Sequence, residues 1–93
     1  MLSIYKYKML LNELQGLDIK SNNILSAKEQ YGNIVIYALN DTDLKIINYQ
    51  FLIIATGNKC PRIDGFKFLD TVRMENGAYI FHVFYKEYLK GGK

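Results

Sequence analysis

Tryptophan is absent from this 93-residue chain, and cysteine, proline and histidine occur once each, as Cys60, Pro61 and His82. One cysteine cannot close an internal disulfide, and one Cys with one His cannot assemble the usual zinc sets. A disulfide scaffold and a zinc module are therefore excluded, and a reducing, cytoplasmic setting is the easier reading. Long hydrophobic runs are also missing. The run from Phe51 to Ala55 falls far short of the roughly 20 residues a membrane-spanning helix needs, so no membrane partner is expected. No Gly-rich dinucleotide fingerprint, Walker pattern or catalytic-cysteine signature is present, so no cofactor is expected. The excess of positive charge is small, 12 basic against 9 acidic residues for a net +3. That balance permits nucleic acid or an acidic partner without requiring either.

What is present is a folding composition. An apolar fraction of 49% with 14% aromatic residues argues against disorder, and the length suits one small domain. We expect a single domain over residues 1–90 and a flexible tail at 91–93. Leu10, Leu11, Leu14 and Leu17 recur at helical spacing with Tyr7 one turn earlier, which predicts an N-terminal helix from about Ser3 to Gln15, stopped by Gly16. That start reads as a structural helix, not a signal segment. After Lys20 the chain reads as strands and turns: "LSAKEQ", turn chemistry at Tyr31-Gly32-Asn33, "IVIYAL", a turn over Asn40–Asp43, and "KIINYQFLIIAT". Two strand-like runs then flank Asn76-Gly77, a dipeptide suited to a two-residue hairpin. The expected fold is α+β, the helix packed on a mostly antiparallel five-stranded sheet.

A two-residue turn at Asn76-Gly77 fixes the hairpin register. Met74 faces Tyr79, Val72 faces Phe81, Asp70 faces Val83 and Phe68 faces Tyr85 on the core side. Arg73 with Ile80, Thr71 with His82, Leu69 with Phe84 and Lys67 with Lys86 form the other side. Because "IVIYAL" and "FLIIA" are apolar on both faces and one helix covers only one, the second face must be covered by self-association, by a protein partner, or by the sheet curling onto itself.

The loop Gly57 to Gly65 holds Lys59, Cys60, Pro61 and Arg62, two cations three residues apart around the only thiol. Its amides and cations suit a phosphate or carboxylate contact, and nearby positive charge favours a reactive thiolate; a partly buried structural thiol is the plainer reading. His82 has Asp70 on the opposite face, so Thr71 is its expected neighbour and a hydrogen-bonding role is favoured over catalysis. Asp70 on an apolar face needs a cation or backbone donors, or else the register shifts. Asp41, Asp43 and Asp64 read as turn residues, not metal ligands. Aromatics such as Tyr5, Tyr7, Phe84 and Tyr88 interleave with Lys6, Lys8, Arg73, Lys86 and Lys90, a pattern that serves base stacking with phosphate contact as well as ordinary packing.

"YQFLIIATGNKCPRIDGF" resembles the strand and loop of pyridine-nucleotide-linked flavoproteins, where an Ala-Thr-Gly ends a strand and Pro-Arg and Gly follow. Without the Gly-rich fingerprint the resemblance implies no flavin site. "NIVIYALNDTDLKIINYQFLIIATGN" and "DGFKFLDTVRMENGAYIFHVFYKE" are similar to segments of the ribosomal silencing factor family, with "KCPRI" where that family has a helical segment; this resemblance implies a ribosome- or nucleic-acid-associated factor. The residues themselves favour a non-enzymatic protein-binding regulator or inhibitor that occupies a macromolecular partner stoichiometrically. Size and composition suit one carried by a virus or mobile element. The expected contact residues are Lys59, Cys60, Arg62, Arg73, His82, Phe84 and Lys86, with a protein partner or a homodimer, and nucleic acid as the alternative.

Overall fold

The computed structural model describes residues 1–74 and 77–88. Seven strands make up the fold: β1 (Leu2–Met9), β2 (Leu14–Ile19), β3 (Asn23–Gln30), β4 (Asn33–Asp41), β5 (Ile47–Ala55), β6 (Lys67–Met74) and β7 (Tyr79–Glu87). They form two antiparallel sheets, β1-β4-β3 and β2-β5-β7-β6. The protein is all-β among the described residues, which overturns the expected α+β fold with its N-terminal helix and single five-stranded sheet.

The helix expectation failed for a physical reason. Tyr5, Tyr7 and Met9 alternate with Lys6 and Lys8, a period of two that suits a strand with one face turned inward. Met9 is buried and Tyr7 packs against the core, whereas three of the four leucines that suggested a helix, Leu10, Leu11 and Leu14, are exposed. Leu10 and Leu11 lie at the corner between β1 and β2, where Asn12 takes a left-handed φ of 56°, and Leu14 opens β2. The Gln15 amide clamps this corner, accepting from the Leu10 N–H and donating to the Leu10 carbonyl, both at 2.8 Å. Gly16 stops no helix and lies inside β2.

The five segments read as strands after Lys20 correspond to β3 through β7. Tyr31 and Gly32 have φ of 51° and 81° and join Gln30 to Asn33, the two positive φ values that a two-residue type I′ hairpin demands. The Asp43 N–H donates to Asp41 Oδ1 at 3.0 Å, so Asp41 is a turn-former as expected.

β4 and β5 lie in different sheets, and their inward faces meet. One cluster joins Met9, Ile24, Ala27, Ile34, Ile36 and Ala38 from the first sheet to Ile19, Tyr49, Phe51, Ile53, Val72, Met74, Phe81 and Val83 from the second. The second face that the sequence left uncovered is thus largely met by the chain folding on itself. Each side chain of this size contributes about 1.5–3 kcal/mol on full burial.

In the hairpin, Met74↔Tyr79, Val72↔Phe81, Thr71↔His82 and Asp70↔Val83 pair as the sequence predicts. Beyond Asp70 the register slips: Phe68 pairs with Phe84 and Lys67 with Tyr85, leaving Leu69 as the extra residue of a bulge. The slip moves Phe68 to the outer face, 58% exposed, and parts Lys67 from Lys86. Asn76 of the expected turn lies outside the described residues, as does the 91–93 tail. No described helix is long and apolar enough to cross a membrane.

Candidate functional site

The outer face of the four-stranded sheet gathers most of the residues singled out from the sequence. Its middle is a row of apolar side chains in direct cross-strand register, Leu14↔Leu52, Leu52↔Phe84 and Phe84↔Phe68, reaching from β2 across β5 and β7 to β6. The row is unevenly covered. Leu52 is buried at 3%, while Leu14 and Phe68 at its ends are 57% and 58% exposed. Phe68 and Phe84 meet edge to face at 5.7 Å between centroids, a preferred aromatic geometry.

On one side of the row lies Ile54↔His82↔Thr71. His82 Nε2 is 2.7 Å from Thr56 Oγ1, and its Nδ1 is 3.1 Å from Thr71 Oγ1. Each ring nitrogen thus has a hydroxyl within hydrogen-bond reach, able to donate or to accept. The ring thereby clasps the end of β5 to β6 and β7. Thr71 is the neighbour the sequence predicted, and no described carboxylate hydrogen-bonds the ring. This is an imidazole held between two threonine hydroxyls.

On the other side of the row, Lys86 stands over the Phe66 ring with Nζ 4.6 Å from its centroid, within cation–π range. Back on the His82 side, Arg73 is exposed two pairs beyond Thr71, opposite Ile80. The inward side of β6 carries Asp70, whose position is explained by its partners. Its carboxylate accepts from the Ala27 N–H at 3.2 Å and the Thr71 N–H at 2.9 Å and lies 3.5 Å from Lys28 Nζ.

The loop between β5 and β6 borders this face. Cys60, His82, Phe84, Ile54 and Asn58 line one shallow depression of about 260 Å³, so three of the predicted contact residues come together there. The cysteine is exposed. Both loop glycines have positive φ, 88° at Gly57 and 81° at Gly65, and each shapes a turn, closed by Asn58 N–H to Ala55 O at 3.1 Å and Phe66 N–H to Ile63 O at 2.9 Å. Those amides are spent within the loop, and Arg62 pairs with Asp64. Lys59 is exposed and Lys86 half-buried. No group of acids, His and Cys among the described residues could hold a metal ion.

Sequence reasoning missed Leu14, Leu52, Phe68, Thr56 and Phe66. Leu14 and Leu52 meet only because β2 pairs with β5, strands separated by two others. Phe68 reaches the face only through the bulge.

The chain belongs to a family described as a domain of unknown function, DUF7352, which matches residues 1–91. No curated protein and no solved structure matches it.

Proposed function

We propose that this protein is a non-enzymatic, cytoplasmic binding protein, a regulator that occupies a protein partner stoichiometrically through the outer face of the β2-β5-β7-β6 sheet. The observation that carries this reading is the row Leu14, Leu52, Phe84 and Phe68, apolar across all four strands and open at both ends. A connected apolar strip bordered by polar and charged groups is the anatomy of a protein interface. Arg73 and Phe84 are residue types enriched among interface hot spots. Lys59 and Lys86 supply a positive rim that favours an acidic partner surface, and Cys60 lies where a partner would cover it.

A second reading, a nucleic-acid- or ribosome-associated factor, draws on the Lys86–Phe66 contact and the exposed Phe68 ring, since stacking rings beside cations suit single-stranded nucleic acid.

The test is a tagged pull-down from a lysate of the encoding organism, with and without nuclease, using wild type and Leu14→Glu/Phe68→Glu. Both positions are more than half exposed, so the double variant should keep its fold. The reading expects one stoichiometric protein that survives nuclease and is lost with the variant. Recovery that vanishes on nuclease treatment favours the second reading, and a partner retained by the variant rejects this face as the interface.

A further inference from the structure

Each sheet of a sandwich has two edge strands, and here the two seams between sheets differ. On one side the inward Asp70 carboxylate of β6 takes the Ala27 N–H of β3 and pairs with Lys28. That seam is bridged by Asp70. On the other side the edges are β1 and β2, with a groove of about 500 Å³ lined by Tyr5, Tyr7, Ile19 and Ile46 among others.

β1 is the longer and more regular of these edges. Its eight residues pair with β4 in unbroken register from Leu2↔Asp41 to Met9↔Ile34, whereas β2 has six and includes Gly16. The Thr42 N–H donates to the Met1 carbonyl at 3.1 Å, which makes that pair a hydrogen-bonded one. Bonded and non-bonded pairs alternate in an antiparallel ladder. Ser3, Tyr5, Tyr7 and Met9 therefore bond β4, and the N–H and C=O groups of Leu2, Ile4, Lys6 and Lys8 point away from the sheet. The side chains of Leu2 and Ile4 are 60% and 62% exposed.

We propose that β1 is a docking edge at which an extended segment of a protein partner adds as a further strand beside β1, its acidic side chains opposite Lys6 and Lys8 and its alternate apolar side chains in the adjoining groove. Main-chain bonding to the exposed edge supplies affinity, and side chains on alternate faces supply selectivity. Lysines commonly guard edge strands, and here they decide which strand is admitted, Lys6 exchanging its bond to Gln30 Oε1 for an incoming carboxylate. Antiparallel pairing of two β1 strands over Leu2–Lys8 sets Lys6 against Ile4 and Lys8 against Leu2, leaving both lysines without a counter-charge. A second copy is disfavoured, and a segment carrying acids at those two positions is selected. This inference goes beyond the sheet-face reading and does not depend on it.

The experiment is fluorescence anisotropy with the full chain and two labelled synthetic peptides. Both have valines on the groove-facing side and leucines opposite Leu2 and Ile4 in antiparallel register. One has glutamates opposite Lys6 and Lys8, and the other has lysines there. The glutamate peptide should bind at least about tenfold tighter, because two cross-strand charge pairs change sign. Lys6→Glu/Lys8→Glu should invert that preference. Ile4→Pro should abolish binding with circular dichroism and Tm near wild type, because proline is tolerated on an edge strand where the lost N–H faces outward. Leu14→Glu/Phe68→Glu should leave peptide binding unchanged, which separates this edge from the sheet face. Absence of binding to either peptide, equal binding of both, or a folded Ile4→Pro variant that still binds would each overturn the proposal. If Ile4→Pro fails to fold, the charge-inverted variant decides alone.

Discussion

Tyr49→Phe removes one oxygen atom from the centre of the fold, and two separable effects follow. Tyr49 is 2% exposed and donates its hydroxyl to the Ser21 carbonyl at 2.6 Å, and Ser21 itself is 0% exposed. Phenylalanine keeps the ring among Phe51 and Tyr85, each 6.2 Å away, but leaves that carbonyl without its donor. The cost is about 1–3 kcal/mol. The second effect appears at high pH. Burial, aided by the negative charge of Glu87 and by Tyr85, pushes the Tyr49 hydroxyl from 10.0 up to about 12. A group whose folded pKa is raised contributes stability that is complete below its unfolded pKa and is lost as pH rises through the folded value. Ionisation of Tyr49 should therefore drain stability between pH 10 and 12, by on the order of 3 kcal/mol in all. Urea unfolding of wild type and variant at pH 7 and at steps above pH 10 measures both effects. Since the chain has eight tyrosines, the difference between the two proteins isolates this one. It should be positive at neutral pH and shrink above pH 10. A variant within about 0.5 kcal/mol of wild type at pH 7, the range of an ordinary surface change, or parallel losses above pH 10, would refute the argument.

Asp70→Ala should cost about 2 kcal/mol in urea unfolding, because the buried Ala27 N–H loses its charged acceptor; Asp70→Asn should recover most of the loss if the hydrogen bond outweighs the Lys28 charge pair, and an equal loss in both would assign the effect to charge. Deletion of Leu69 should give a folded protein that keeps Phe68 on the outer face, since Asp70↔Val83 and Phe68↔Phe84 then become successive pairs of an unbulged ladder, at about 1–2 kcal/mol for the lost partial burial of Leu69. Failure to fold, measured by circular dichroism, would show that the bulge is required. The exposed thiol of Cys60 should react with Ellman's reagent to about one equivalent per native chain without denaturant, and a reaction that needs denaturant would contradict its placement.

The strands β4 to β7 were legible because the rules that report a strand agreed there: apolar runs in β4 and β5, turn residues between them, and the Asn-Gly dipeptide between the two runs of the closing hairpin. The hairpin register was legible as far as Asp70, where a bulge with no side-chain signature interrupts it. At the start of the chain two periodicities competed. The leucines stand at helical spacing and the Tyr-Lys alternation at strand spacing, and burial follows the alternation, with Met9 inside and Leu10, Leu11 and Leu14 outside. The candidate face was half legible for the same reason. Arg73, His82 and Phe84 alternate along two strands and share a side from the hairpin alone. Leu14 joins them only through a pairing between β2 and β5 that nothing local to either strand encodes.

Turning one expected five-stranded sheet into two sheets changes what a partner can reach. A lone sheet backed by a helix offers one large open face and two edges. In the observed fold the inward faces of β4 and β5 bury each other, so the exposed apolar surface contracts to the row ending at Leu14 and Phe68, the outer side of β1, and a few scattered side chains. The edges multiply to four, and their treatment differs. β3 meets β6 through Asp70, a carboxylate that spends its lone pairs on two backbone N–H groups. β1 faces the groove with an unbroken ladder behind it. β1 carries neither the bulge that interrupts β3 between Ile24 and Ser26 nor a proline, so its lysines are what guard the edge. Its outer face presents two exposed aliphatic residues, Leu2 and Ile4, followed by Lys6 and Lys8. Regular backbone with selective side chains is what strand addition requires, and that combination makes β1, along with the sheet face, a surface to test first.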